Sequence, residues 1–138
     1  MDYEYRFVPE QRLCMVRYGG GGGLDEFIDA NSEIYEATKG ADRRYLFDLR
    51  GCEISADVTE ARDYAAWIDA LGMETTHPNA VQAILVSSPH ESTIAHVVAR
   101  AAGRHLQIEV CPTLARCCDF LGVELGIFRD HRDLIPQG

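Results

Sequence analysis

Apolar positions along this chain change their period repeatedly, and each change marks an element. Tyr3, Tyr5 and Phe7 alternate with polar or charged neighbours, which predicts a half-buried first strand. Pro9 to Arg12 reads as the turn into a second strand, Leu13 to Tyr18. Five consecutive glycines, Gly19 to Gly23, then read as a flexible or bulged turn. Leu24, Phe27, Ile28, Ile34 and Tyr35 recur at helical spacing, and Lys39-Gly40 suits the end of that helix. A third strand spans Tyr45 to Leu49, with a polar loop from Cys52 to Asp57 beyond it.

The second helix carries Val58, Ala61, Ala65, Ile68 and Leu71 on one face. Asp57 is placed to cap it and Glu60 to complete a capping box. Val81 to Val86 is almost wholly apolar, as expected of a central strand covered on both faces. After the loop Ser87 to His90, a third helix uses Ile94, Val97, Val98 and Ala101 and ends near Gly103. Gln107 to Cys111 is the fifth strand. Pro112 suits the first position of a fourth helix with Leu114, Cys117, Cys118 and Leu121 on its apolar stripe.

The order is ββαβαβαβα, which predicts an α/β single domain: a mixed β-sheet of about five strands with about four helices. At 138 residues the chain fits one domain. The patterned part spans 1–123, and 124–138 is expected to be a C-terminal tail, loop or partly disordered.

Charge and cysteine content narrow the partners. A net charge of −9 repels phosphates and anionic lipid heads, so no nucleic acid and no membrane insertion are expected. Apolar runs such as Ile84-Leu85-Val86 are too short to span a bilayer, and Asp2 and Glu4 precede any apolar segment, so the expected location is cytoplasmic. Cysteines number five, with no Cys-x-x-Cys pair, which favours reduced, space-filling thiols over disulfides or zinc. No cofactor is implied.

Candidate chemistry gathers at the end of the third strand, because strand C-termini are where α/β sheets usually receive ligands. Asp48 and Arg50 lie two apart and share a face, and Ser87 would join them from the neighbouring strand. A reactive thiol would need neighbouring positive charge, and Cys52, in the polar loop after Arg50, is the one to test. A phosphate-loop reading of the glycine run fails, since no Gly-Lys-Ser/Thr follows and Asp25 and Glu26 would repel an anion. Ser87, Ser88 and Ser92 lie near His90 without a nucleophile elbow, and His90 and His96 are six apart, so neither serine hydrolysis nor zinc is indicated. The histidines are read as surface or loop groups, and Trp67 as core edge beside Tyr64.

Four segments together resemble the SpoIIAA-like group of STAS domains. They are the Tyr3-to-Tyr18 hairpin leading into Leu24-Asp25-Glu26-Phe27, Tyr45-Leu46-Phe47-Asp48-Leu49-Arg50-Gly51, Ile84-Leu85-Val86-Ser87-Ser88-Pro89, and Val110-Cys111-Pro112-Thr113-Leu114 through Phe120-Leu121-Gly122. The resemblance implies a non-enzymatic module that binds a protein partner or small ligand at the third-strand C-terminus and second-helix N-terminus. In this family a serine at that helix N-terminus can be phosphorylated. Here the position falls on or beside Asp57, in Ile54-Ser55-Ala56-Asp57-Val58, which lacks the family's Asp-Ser-Ser-Gly. No phosphoacceptor is therefore expected at Asp57, and Ser55 is a second candidate. The binding set is then Asp48, Arg50, Cys52, Ser55, Asp57 and Ser87. Two alternatives stand beside it: a hydrophobic-ligand (lipid) carrier with a pocket between sheet and helices, and a small enzyme or redox protein using Cys52 or the Ser87–His90 loop. A first strand exposed at the sheet edge would allow a homodimer.

Overall fold

The structure is a computed structural model that describes residues 1–40, 44–102 and 106–137. The helix end expected near Gly103, and His105, lie outside the described residues. Five strands form one sheet in the order β1-β2-β3-β4-β5. They are β1 (Asp2–Val8), β2 (Leu13–Gly22), β3 (Arg44–Ile54), β4 (Val81–Leu85) and β5 (Gln107–Cys111). β1 is antiparallel to β2, and the remaining pairs are parallel. The helices are α1 (Leu24–Ala37), α2 (Val58–Ala70), the single turn α3 (Met73–Thr76), α4 (Pro89–Ala102) and α5 (Leu114–Leu121).

Sequential parallel strands dictate the layering. Right-handed crossovers that all step the same way put their helices on one side of the sheet. Only the chain after β5 is left to cover the other. Accordingly Cys14, Val16, Tyr45 and Phe47 pack under α1, α2 and α4 with Phe27, Ile34, Ile68 and Val98. Leu13, Met15, Leu46 and Leu85 pack under α5 with Leu114, Leu121, Phe128, Leu134 and Ile135. Residues 124–137, expected as loop, hold a 3-10 segment (Leu125–His131), and Phe128, Leu134 and Ile135 are fully buried. Their pattern is too short for helical or strand periodicity, so only the uncovered sheet face explains them.

The glycine run is not a flexible turn. β2 continues through it, with Gly19 to Gly22 paired to Gly51 to Ile54 of β3, and only Gly23 serves as the helix N-cap. Gly20 has φ +74°, and a Cβ on Gly22 would lie 2.9 Å from Glu26 Oε2. The positive φ favours glycine at position 20, whereas at Gly22 the exposed Glu26 side chain would have to move aside. β3 likewise does not end at Leu49. Between the pairs Arg17–Asp48 and Gly19–Gly51 it carries one residue more than β2, a bulge that resets its alternation. Tyr45, Phe47 and Leu49 face α1, α2 and α4, and after the bulge so do Cys52 and Ile54.

Smaller differences have local causes. Pro112 precedes the helix instead of opening it, because Thr113 is the cap and accepts the Arg116 N–H at 3.2 Å. Val58 is exposed, lying ahead of the first α2 residue that meets the sheet, Ala61; Ala101 is also exposed, and Ala102 is buried in its stead. His77 is buried, donating from Nε2 to the Tyr35 carbonyl at 2.8 Å and accepting at Nδ1 from Thr76. Trp67 is half-buried against Tyr64, their ring centres 5.4 Å apart.

Candidate functional site

Asp48 and Arg50 form a closed pair. Arg50 Nε and Nη2 donate to the two Asp48 carboxylate oxygens at 2.9 and 2.8 Å, and the Arg50 backbone N–H adds a third bond at 3.0 Å. Asp48 is 2% exposed. Arg50 Nη2 also donates to the Pro136 carbonyl at 2.5 Å. Hydrogen bonding to Asp48 raises the guanidinium above its ordinary value. Instead of ending a strand at a docking edge, the two residues join mid-β3 to the C-terminal segment.

The other expected site residues are held differently. Cys52 is not in a loop but buried on β3, and burial, with Glu91 nearby, pushes its thiol up to about 11. That is the reverse of an activated thiol. Asp57 caps α2, accepting the Glu60 N–H at 2.8 Å while Glu60 Oε1 accepts the Asp57 N–H at 3.4 Å. Ser55 and Ser87 are exposed.

Arg50, Cys52 and Ser87 do line one groove of about 450 Å³, together with Ser88, His90 and Glu91. Its origin is topological. β4 pairs with β3 only as far as Asp48, so the last part of β3, paired to β2 on one side, has no described strand on the other. Side chains from the start of α4 take over part of the ladder. His90 Nε2 donates to the Ile54 carbonyl at 3.0 Å, and Glu91 accepts the Ile54 N–H at 3.3 Å. Ser55 and Asp57 do not line this groove.

A second site lies between the sheet and α1, α2 and α4, where the carrier alternative places a pocket, and its residues are outside the expected binding set. It is a cavity of about 60 Å³ with mostly aliphatic and aromatic walls, among them Phe27, Phe47, Ile68, Ile84 and Val98. A polar array enters it. Tyr18 Oη donates to Asn31 Oδ1, and Asn31 Nδ2 donates to Tyr64 Oη. Tyr35 Oη donates to Gln82 Oε1 at 2.9 Å. Gln82 is 2% exposed, and its Nε2 is buried with no hydrogen-bond partner among the described residues. Burial pushes the Tyr18, Tyr35 and Tyr64 hydroxyls above their ordinary range, so all three stay neutral. Such a site can bind and orient a neutral molecule; it offers no anionic nucleophile.

One signal for this cavity stood in the sequence: Gln82 interrupts the apolar run Val81–Val86, on a strand buried on both faces. Tyr18, Asn31, Tyr35 and Tyr64 gave none, because three separate elements bring them together. Among the described residues, no group of three His, Cys, Asp or Glu side chains is placed to hold a metal ion. Nor is any described helix long and apolar enough to cross a membrane.

No family model and no curated protein matches the chain. Among solved structures it is similar to an uncharacterised protein of the DUF3478 family with a SpoIIAA-like fold from Shewanella loihica PV-4. The TM-score is 0.52 at 14% identity, covering 87% of this chain and 92% of that one. At that identity the likeness is one of fold. The chain is a mixed α/β domain of SpoIIAA/STAS-like topology.

Proposed function

We propose that this domain is a non-enzymatic cytoplasmic binding module whose cavity beneath α1, α2 and α4 holds a small, mostly apolar molecule bearing one carbonyl-type acceptor. The observation that carries this reading is Gln82 Nε2, a buried donor without a partner among the described residues. Leaving such a donor unmet costs about 1–3 kcal/mol. A leucine or methionine would fill the same space without that cost. An acceptor on a bound molecule relieves it, while the apolar walls supply affinity. The size fits a handful of non-hydrogen atoms, since the cavity is smaller than the ~150 Å³ engineered cavity that admits benzene.

The test is a titration of ¹⁵N-labelled protein with acetone, small enough for the cavity, with propane as the control lacking an acceptor. The ketone is expected to shift the Gln82 side-chain amide resonances saturably, and Gln82→Leu to weaken ketone binding about tenfold. A Gln82 amide indifferent to the ketone refutes the reading.

A second reading rests on the groove beneath the β3 overhang, where Arg50, Ser87 and Ser88 line an opening at the C-terminal ends of adjacent parallel strands. It assigns that groove to a protein partner. Ser87→Arg, at an exposed position, would then abolish capture of that partner without lowering the melting temperature.

A further inference from the structure

Of the four large hydrophobic side chains exposed among the described residues, Tyr3 and Phe7 lie on β1, at 38% and 39%. β1 ends the sheet, and no described strand pairs with its outer edge. The strand is nonetheless pinned from both faces. Tyr3 Oη donates to Glu33 of α1 at 2.5 Å, and Arg6 Nη2 donates to Asp133 of the C-terminal segment at 2.6 Å. Its outward backbone groups are therefore held extended, as a template for another strand.

We infer that β1 pairs antiparallel with β1 of a second copy of this chain, about a two-fold axis at Tyr5. The sequence Asp2-Tyr3-Glu4-Tyr5-Arg6-Phe7-Val8 is self-complementary about that centre. Glu4 meets Arg6 of the second copy, and Arg6 meets its Glu4. Tyr3 meets Phe7 on the opposite face, also twice. Opposite charges and aromatic pairs directly across an antiparallel ladder both stabilise it.

The register is selective. A two-fold at Glu4 would set that carboxylate against its own copy, and one at Arg6 would do the same with the guanidinium. Charged residues protect an edge strand when pairing brings like charges together. The centre at Tyr5 avoids that, and it also uses the whole strand and covers both exposed aromatics. An isologous contact of this kind closes at two subunits and leaves β5 as the outer edge of each.

Analytical ultracentrifugation of the full chain tests the pairing. The wild type is expected to be a concentration-dependent dimer. Glu4→Arg and Arg6→Glu should each weaken self-association at least about tenfold, because two attractive pairs become two repulsive ones by symmetry. Mixed one to one, the two variants should form a heterodimer, since each swapped position again meets an opposite charge. Glu4→Arg leaves the Arg6–Asp133 pair intact, so it decides the matter alone if Arg6→Glu does not fold. A wild type that stays monomeric to about 1 mM, a dimer indifferent to Glu4→Arg, or folded variants that fail to pair on mixing each overturns the inference.

Discussion

Beneath α1, α2 and α4, the sheet buries three tyrosine rings, an asparagine and a glutamine around a cavity. Beneath α5 and the C-terminal segment it buries aliphatic side chains, cysteines and one ion pair whose five-atom contact is closed on itself. Both faces contain polar groups in an apolar setting. They differ in whether those groups are satisfied. Asp48 accepts three hydrogen bonds from Arg50, and what remains of the guanidinium reaches Pro136. Gln82 has its oxygen met by Tyr35 and its amide nitrogen unmet among the described residues. A satisfied buried pair fixes the fold, whereas an unsatisfied donor beside empty space marks a place where something else can bind.

The most severe way to break this contrast is on the closed face. Phe128→Ala removes a fully buried ring from the segment that covers the sheet. It should cost about 4 kcal/mol of unfolding free energy in a urea titration. Asp48→Ala should cost about 2 kcal/mol, because the half-buried Arg50 loses the carboxylate that accepts three of its hydrogen bonds while solvent offsets part of that loss. Proteolysis should then cut first in residues 124–137, as Arg50 no longer anchors Pro136. If protease acts first elsewhere, the ion pair does not hold the tail.

On the open face the expected effects are smaller. Tyr64→Phe removes one hydroxyl from the Asn31 pair and should cost about 1 kcal/mol. A loss as large as that of Phe128→Ala would mean that the polar array, and not the apolar wall, holds this layer together. The smallest effect returns to the closed face, at Asp133 of the C-terminal segment, whose carboxyl the hydrogen bonds from Arg6 lower to about 2. Because its folded value is depressed, the associated stability is present above the ordinary carboxylate range near 4 and is lost as pH falls towards 2. Wild type should therefore lose its advantage over Asp133→Asn across that acid window, read by melting temperature. An advantage constant with pH would assign the contribution to packing.

Much of the layout was legible locally. Asp57 and Glu60 announce their capping box by spacing alone, and the box forms. The apolar run from Val81 predicts a strand buried on both faces, and β4 is one. Gln107 to Cys111 is the fifth strand to the residue. Where the reading went astray, a partner distant in sequence decided the outcome. Glycine has low strand propensity, so only the pairing with Gly51 to Ile54 reveals that Gly19 to Gly22 continue β2. Cys52 looked exposed because its neighbours are polar, yet the β3 bulge turns it inward.

The candidate site divides along the same line. Asp48 and Arg50 were identified as two like-facing residues on one strand, which needs only the two-residue period. Their role depended on Pro136, eighty-six positions from Arg50, and could not be read from that period. The cavity depended on Tyr18, Asn31, Tyr64 and Gln82 converging from β2, α1, α2 and β4. Sequence by itself determined the order of the main elements, the capping box of α2 and the alternation that chooses a buried side, because these arise from backbone sterics and periodicity within a few residues. Tertiary structure decided which polar groups are satisfied, where β3 ends and what covers the second face. Those outcomes depend on groups that meet only once the sheet has assembled.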